Sequence, residues 1–155
     1  MNANDRHAAH RQRCLAVSSE CTAFGVRRAA RALTRIYDEA MAPAGLRGTQ
    51  FTLLVALSLA GEAPVLKIAD ELGLDRTTLT RNLGPLVRDR LVERVPDADR
   101  RVRRLRLTER GHEVLADALP RWERTQRQVV AALGKARWRD LMDGLGAAAN
   151  LPEQL

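Results

Sequence analysis

Between Val65 and Thr108 the spacing of apolar residues changes once, and that change restricts the architecture more than any other feature. From Val65 to Leu91 apolar residues return mainly at three- and four-residue intervals, with Leu66, Ile68, Ala69 and Leu72 followed by Leu79, Leu83, Leu86 and Val87. This is the interval of one face of an α-helix. Beyond Leu91 the interval becomes two, in LVERV (91–95) and RVRRLRLT (101–108), which is the signature of half-buried strands. Gly73 stops the first helical segment, Asp75 is a side-chain cap for the second, and PDADR (96–100) separates the strands. The predicted order is helix, short turn, helix, hairpin. On the second strand Arg104 and Arg106 fall on one face, with Arg103, Leu105 and Leu107 on the other.

Longer helical patterns flank this unit. One runs from about Thr22 to Met41 through Phe24, Val26, Ala30, Leu33, Ile36, Tyr37 and Ala40, and Pro43 and Gly45 close it. Thr49 is expected to cap TQFTLLVALSLAG, which ends at Gly61. The first twenty residues are polar and read as a short helix broken at Ser18-Ser19. After the hairpin, Thr108 caps a long helix carrying Leu115, Ala118, Trp122 and Val130, with a kink expected at Pro120. A last helix places Trp138, Leu141, Met142 and Leu145 on one side. The fold class is therefore mainly α with a small β-wing: one domain (1–155) in which a winged helix-turn-helix lobe (49–108) lies between terminal helices (22–48 and 109–150).

The charge of this lobe points to a polyanion. The chain carries +7 overall at neutral pH, and eleven arginines against five acids lie between Arg76 and Arg110, so the positive charge is focused. The second short helix suits the major groove of double-stranded DNA, with Arg76, Thr77, Thr78, Thr80 and Arg81 in its first turns opposite the buried leucines. The hairpin, with Asp99, Arg100, Arg101 and Arg104, would reach the neighbouring minor groove, where arginine is favoured electrostatically.

Enzyme chemistry finds little material. There is no Gly-rich phosphate loop, no HExxH and no GxSxG, and two of the three histidines sit in the first ten residues. No apolar stretch approaches the roughly 20 residues of a membrane span, and two cysteines without a disulfide framework point to the cytoplasm. No cofactor is expected.

The chain resembles the MarR family of bacterial transcriptional regulators over nearly all of residues 22–150. The resemblance rests on GTQFTLLVAL, LKIADELGLDRTTLTRNLGPLVRDRLVERV, the wing DADRRVRRLRLTERG and ALPRWERTQRQVVAALGKARW. It implies a homodimer built from the terminal helices, a near-palindromic operator and a regulator, expected to be a repressor, released by an effector. Under the same analogy Arg101 enters the minor groove, Asp99 holds its guanidinium, Arg100 meets a phosphate and Arg81 belongs to a threonine-arginine pair that reads bases. Two terminal apolar faces on a chain of this size also favour a dimer independently. Two features depart from the family pattern. Arg90 stands where a glycine commonly ends the recognition helix, and Gly84-Pro85 interrupts that helix, predicting a bend that spares its first turns.

Three switches are candidates. A small aromatic or carboxylate effector could meet Arg27, Arg31, Tyr37 and His112. Oxidation could act through Cys21, or through Cys14. A metal could be held by His7, His10 and Cys14 with Cys21, but idle terminal residues are the better account of that spacing and no metal site is expected. A nonspecific architectural DNA-binding protein is the rival function, since it would share the basic charge without needing so regular a reading helix.

Overall fold

The structure is a computed structural model that describes residues 3–96 and 103–151. In chain order it comprises α1 (Ala3–Glu20), α2 (Thr22–Met41), a 3-10 turn (Ala42–Ala44), α3 (Gly48–Ala60) and β1 (Glu62–Pro64). There follow α4 (Val65–Glu71), α5 (Arg76–Arg88), β2 (Val92–Val95), β3 (Arg104–Leu107), α6 (Glu109–Leu133) and α7 (Lys135–Ala149). The class is the one the sequence predicts, helical with a small antiparallel sheet.

Helix α3 lies at the centre because it is apolar on most of its circumference. Leu53, Leu54 and Leu57 are fully buried, and Met41, Ile68, Leu79, Leu86 and Leu105 join them from four other elements. The three leucines of α5, Leu79, Leu83 and Leu86, are buried as their spacing requires. The outward face of that helix is thereby fixed.

The hairpin forms as expected, but a third strand joins it. The sheet order is β1-β3-β2, with Ala63 and Arg94 both paired to Leu105, and Glu62 and Glu93 both paired to Arg106. Three residues are too few to display alternation, which is why the sequence does not announce β1. Leu105 and Leu107 face the core, and Arg104 and Arg106 take the opposite face.

Several local expectations need correction. Helix α1 continues through Ser18-Ser19, whose hydroxyls donate back to Leu15 O at 2.8 and 3.1 Å, and its end falls at Glu20. The cap of α3 is Arg47, whose N–H is taken by the Gln50 side chain at 2.8 Å, so Thr49 lies inside the first turn. Leu66, expected in the core, is 63% exposed on α4. Neither Pro85 nor Pro120 interrupts its helix. The carbonyls they leave without a donor belong to the exposed residues Arg81 and Ala116, where water can replace the lost bond. Arg90 itself supplies the left-handed residue after α5, with φ 57°, and Leu91 N then donates to Leu86 O at 2.8 Å. For a residue with a Cβ this conformation costs on the order of 1 kcal/mol.

Candidate nucleic-acid interface

The first turn of α5 is held by Asp75. Its Oδ1 accepts from the backbone N–H groups of Thr77 and Thr78, both at 2.9 Å, and its Oδ2 accepts from the Thr78 hydroxyl at 2.6 Å. The Thr80 hydroxyl donates to Arg76 O at 2.8 Å. Thr78 and Thr80 have therefore spent their single protons inside the helix, and they offer methyl groups and acceptor lone pairs outward. Arg76, Thr77 and Arg81 are exposed, and their side chains have no hydrogen-bond or ion partner among the described residues. The fold thus gathers the predicted reading residues on one exposed surface.

The hydrogen bonds of the Thr78 hydroxyl, then of its N–H, hold the Asp75 carboxyl below its ordinary value of 3.8. A carboxylate with a lowered folded-state pKa stabilises the fold above its unfolded value and loses that contribution as pH falls through the folded one. Asp75→Asn should accordingly become indistinguishable from the parent in pH dependence of thermal stability between pH 5 and 8, by roughly one unit's margin above the carboxylate range. The parent should lose more stability than the variant below about pH 4. Matching acid limbs in the two melting curves would mean that the cap contributes nothing through its charge.

On the outer face of the sheet the arginines are engaged. Arg104 Nε donates to Glu62 at 2.7 Å and its guanidinium also reaches the Glu62 carbonyl at 3.1 Å, binding β3 to β1. Arg106 Nε donates to Glu93 at 2.7 Å, and that carboxylate raises the guanidinium pKa above its already high ordinary value. These two pairs cancel part of the charge that the sequence concentrates here. Arg90, Arg94 and Arg110 have no carboxylate partner among the described residues and line one open groove beside the sheet. Asp99, Arg100 and Arg101 lie outside the described residues.

A cavity of about 350 Å³ opens between α2, α3 and α6. Its apolar wall includes Leu33, Met41, Phe51 and Trp122, and the last two rings stack with centroids 6.4 Å apart. Its polar groups are the hydroxyls of Thr34, Thr49, Thr52 and Tyr37. Tyr37 donates a short hydrogen bond to Gln126, and burial raises its pKa. Of the four predicted effector contacts, Tyr37 lines this cavity, whereas Arg27, Arg31 and His112 are exposed and are not among its lining residues. The sequence shows Trp122 only as a packing residue of its helix, and nothing in it marks Gln126 as the partner of Tyr37.

Cys14 and Cys21 are both free and exposed, and Cys14 Sγ lies 3.5 Å from His10 Nε2. Helical rise from Cys14 to the end of α1 sets the Cα atoms of Cys14 and Cys21 about 10 Å apart, beyond the roughly 7 Å Cα separation a disulfide spans. An intrachain bridge would need the end of α1 to unwind. Among the described residues no three histidine, cysteine or acidic side chains are grouped to hold a metal ion.

A helix-turn-helix followed by a small sheet, with its second helix exposed at the N-terminal end, defines a winged helix-turn-helix protein. The profile of the MarR family matches residues 44–101. The crystal structure of the M. tuberculosis transcriptional regulator MosR in complex with DNA is 41% identical to this chain, covers 85% of it and 98% of its own length, and superposes with a TM-score of 0.75. A second crystal structure of MosR is 38% identical, covering 86% of this chain and 98% of that one, with a TM-score of 0.74. The transcriptional repressor CouR bound to a 23-mer DNA duplex is 27% identical over 86% of this chain and 95% of its own, with a TM-score of 0.77. No curated protein matches the chain. The chain belongs to the MarR family, whose members are transcriptional regulators and not enzymes.

Proposed function

We propose that this chain is a sequence-specific DNA-binding repressor that works as a homodimer on a near-palindromic operator in the cytoplasm and is released by a small-molecule effector. The observation that carries this reading is the exposed N-terminal surface of α5. Arg76, Thr77 and Arg81 stand there unpartnered, while the opposite face of the same helix is locked into the core by Leu79, Leu83 and Leu86. A merely architectural binder has no need of that arrangement. MosR, at 41% identity, is seen in complex with DNA, and CouR is a repressor seen on a duplex, which supports the same partner here.

In this reading residues 49–108 form the DNA-binding lobe, while 22–48 and 109–150 join two chains. Dimer symmetry places the half-sites about 10 base pairs apart. Arg101 reads the minor groove from the wing, with Asp99 orienting it and Arg100 on a phosphate. Arg104 contributes by fixing the sheet to which the wing is attached. The effector is an aromatic compound with a neutral hydrogen-bonding group, because the cavity is walled by apolar residues and hydroxyls and no charged side chain lines it. Its volume falls within the range of about 300–1,000 Å³ usual for ligand sites.

The test is fluorescence anisotropy with a duplex selected from a randomised pool, beside a shuffled duplex of the same composition, across a salt series. Preference for the selected duplex, with affinity falling steeply as salt rises, is the expected result. Equal affinity for both would make the protein an architectural binder. Arg101→Ala should weaken the selected complex by about 1–3 kcal/mol, and unchanged affinity would remove the wing from the mechanism.

A further inference from the structure

Helix α3 is tied at its N-terminus to two different bodies. On one side Gly48 N–H donates to Asp38 Oδ1 of α2 at 2.7 Å. The fit is close, since a Cβ on Gly48 would stand 3.3 Å from Tyr37 Cβ and 3.4 Å from that same carboxylate. On the other side the next residue, Thr49, donates its hydroxyl to Asn82 Oδ1 of α5 at 3.2 Å. Asn82 follows Arg81 directly and stands one helical turn after Thr78, next to the surface assigned above to DNA.

In the Thr49 bond the carbonyl end of the Asn82 amide is the one used inside the protein. Its carbonyl accepts from Thr49, and its NH2 group, with two donors, has no partner among the described residues. Held this way, the side chain can offer protons and is not turned to accept them. Duplex DNA presents suitable acceptors in its phosphate oxygens and in the O6 and N7 of guanine.

We propose that Asn82 is a further DNA-contacting residue, donating through its NH2 group, and that Thr49 is the positioning residue that holds it. The assignment rests on α5 being the helix that reads DNA. Because Thr49 also lines the cavity between α2, α3 and α6, it places the wall of that cavity one hydrogen bond from the interface.

A double-mutant cycle decides the matter, read as affinity for the duplex selected from a randomised pool, with urea midpoints measured beside it to confirm folding. Asn82→Ala should weaken binding roughly tenfold and Thr49→Val roughly threefold, the scale of single neutral hydrogen bonds. The double variant should bind no more weakly than Asn82→Ala alone, and Thr49→Ser, which keeps the hydroxyl, should bind like the parent. Asn82→Ala within twofold of the parent overturns the contact. Additive losses, or a Thr49→Ser variant as weak as Thr49→Val, overturn the positioning role. Arg81→Ala serves as the control: if it weakens binding while Asn82→Ala does not, the Asn82 assignment alone fails. If neither variant weakens binding, α5 is not the reading helix and both proposals fall together.

Discussion

Replacing Gly111 with alanine is expected to destabilise the fold by about 2–4 kcal/mol, seen as a lowered urea midpoint with little change in slope. A Cβ at this position would sit 2.1 Å from the carbonyl oxygen of Leu91 and 3.1 Å from its carbon. That carbonyl has little freedom to retreat. It accepts from Thr108 N at 3.1 Å, Leu91 N is bonded to Leu86 O at 2.8 Å, and the neighbouring Arg90 carbonyl takes the Thr108 hydroxyl at 2.6 Å. Thr108 in turn caps α6 through Gly111 N at 3.0 Å. The end of α5, the start of β2 and the first turn of α6 therefore converge on one small volume. Alanine would bring a helix-propensity gain of about 1 kcal/mol over glycine, which opposes the clash. The clash wins because the obstructing atom belongs to the backbone, and because relief by moving α6 outward would lift Leu115 and Ala118 from the core, where they are 6% and 0% exposed. A midpoint at or above that of the parent would show that the backbone yields freely here.

That glycine also marks the limit of what the sequence discloses. LTERG is recognisable as a pattern following the wing, yet its physical reason, a backbone approach by Leu91, exists only once the chain has folded. Regular elements were legible wherever periodicity was sustained. The leucines of α5, the alternation of β3 and the Thr108 cap could all be read directly, and so could the exposed first turns of α5. The failures share a cause as well. Strand β1 spans three residues, and the cap at Arg47 depends on a glutamine reaching back, so neither leaves a periodic trace. Ser18-Ser19 reads as a break because these hydroxyls compete with the backbone, but here they bond within the helix they seemed to end. Charge was legible as a total and not as a field. The sequence concentrates arginine in the wing strand, and cross-strand register, which composition does not encode, hands Arg104 to Glu62 and Arg106 to Glu93. The cavity and the Thr49–Asn82 link likewise join residues far apart in the chain.

Replacing Leu141 and Leu145 together with glutamate is expected to abolish the dimer and weaken binding to the selected duplex by a factor on the order of 100 or more, the scale of linked sites becoming independent. Helix α7 has no buried residue, and Leu141, Met142 and Leu145 are 37%, 49% and 38% exposed along one face. Helix α2 is nearly as open: Met41 is its one buried residue, and Phe24, Val26 and Ile36 remain exposed to solvent. Terminal helices of this length do not hold apolar stripes in water without a partner, and the partner proposed here is a second, self-complementary copy of the chain. Completing the burial of a leucine contributes up to about 1.5–3 kcal/mol, and two-fold symmetry repeats each substitution in both chains. Glutamate removes that gain and also leaves an unpaired carboxylate in an apolar seam, which is more costly than an empty space. The lobe proposed to read DNA does not include α7, so its own surface is untouched and the affinity loss isolates the second half-site. Light scattering should give the parent at twice the 17.2 kDa chain mass and the variant at a single chain mass, with both retaining helical circular dichroism. A parent that scatters as a monomer at the concentrations used for DNA binding would reject the dimer. A variant that stays dimeric would move the interface away from α7 to the open faces of α1 and α2.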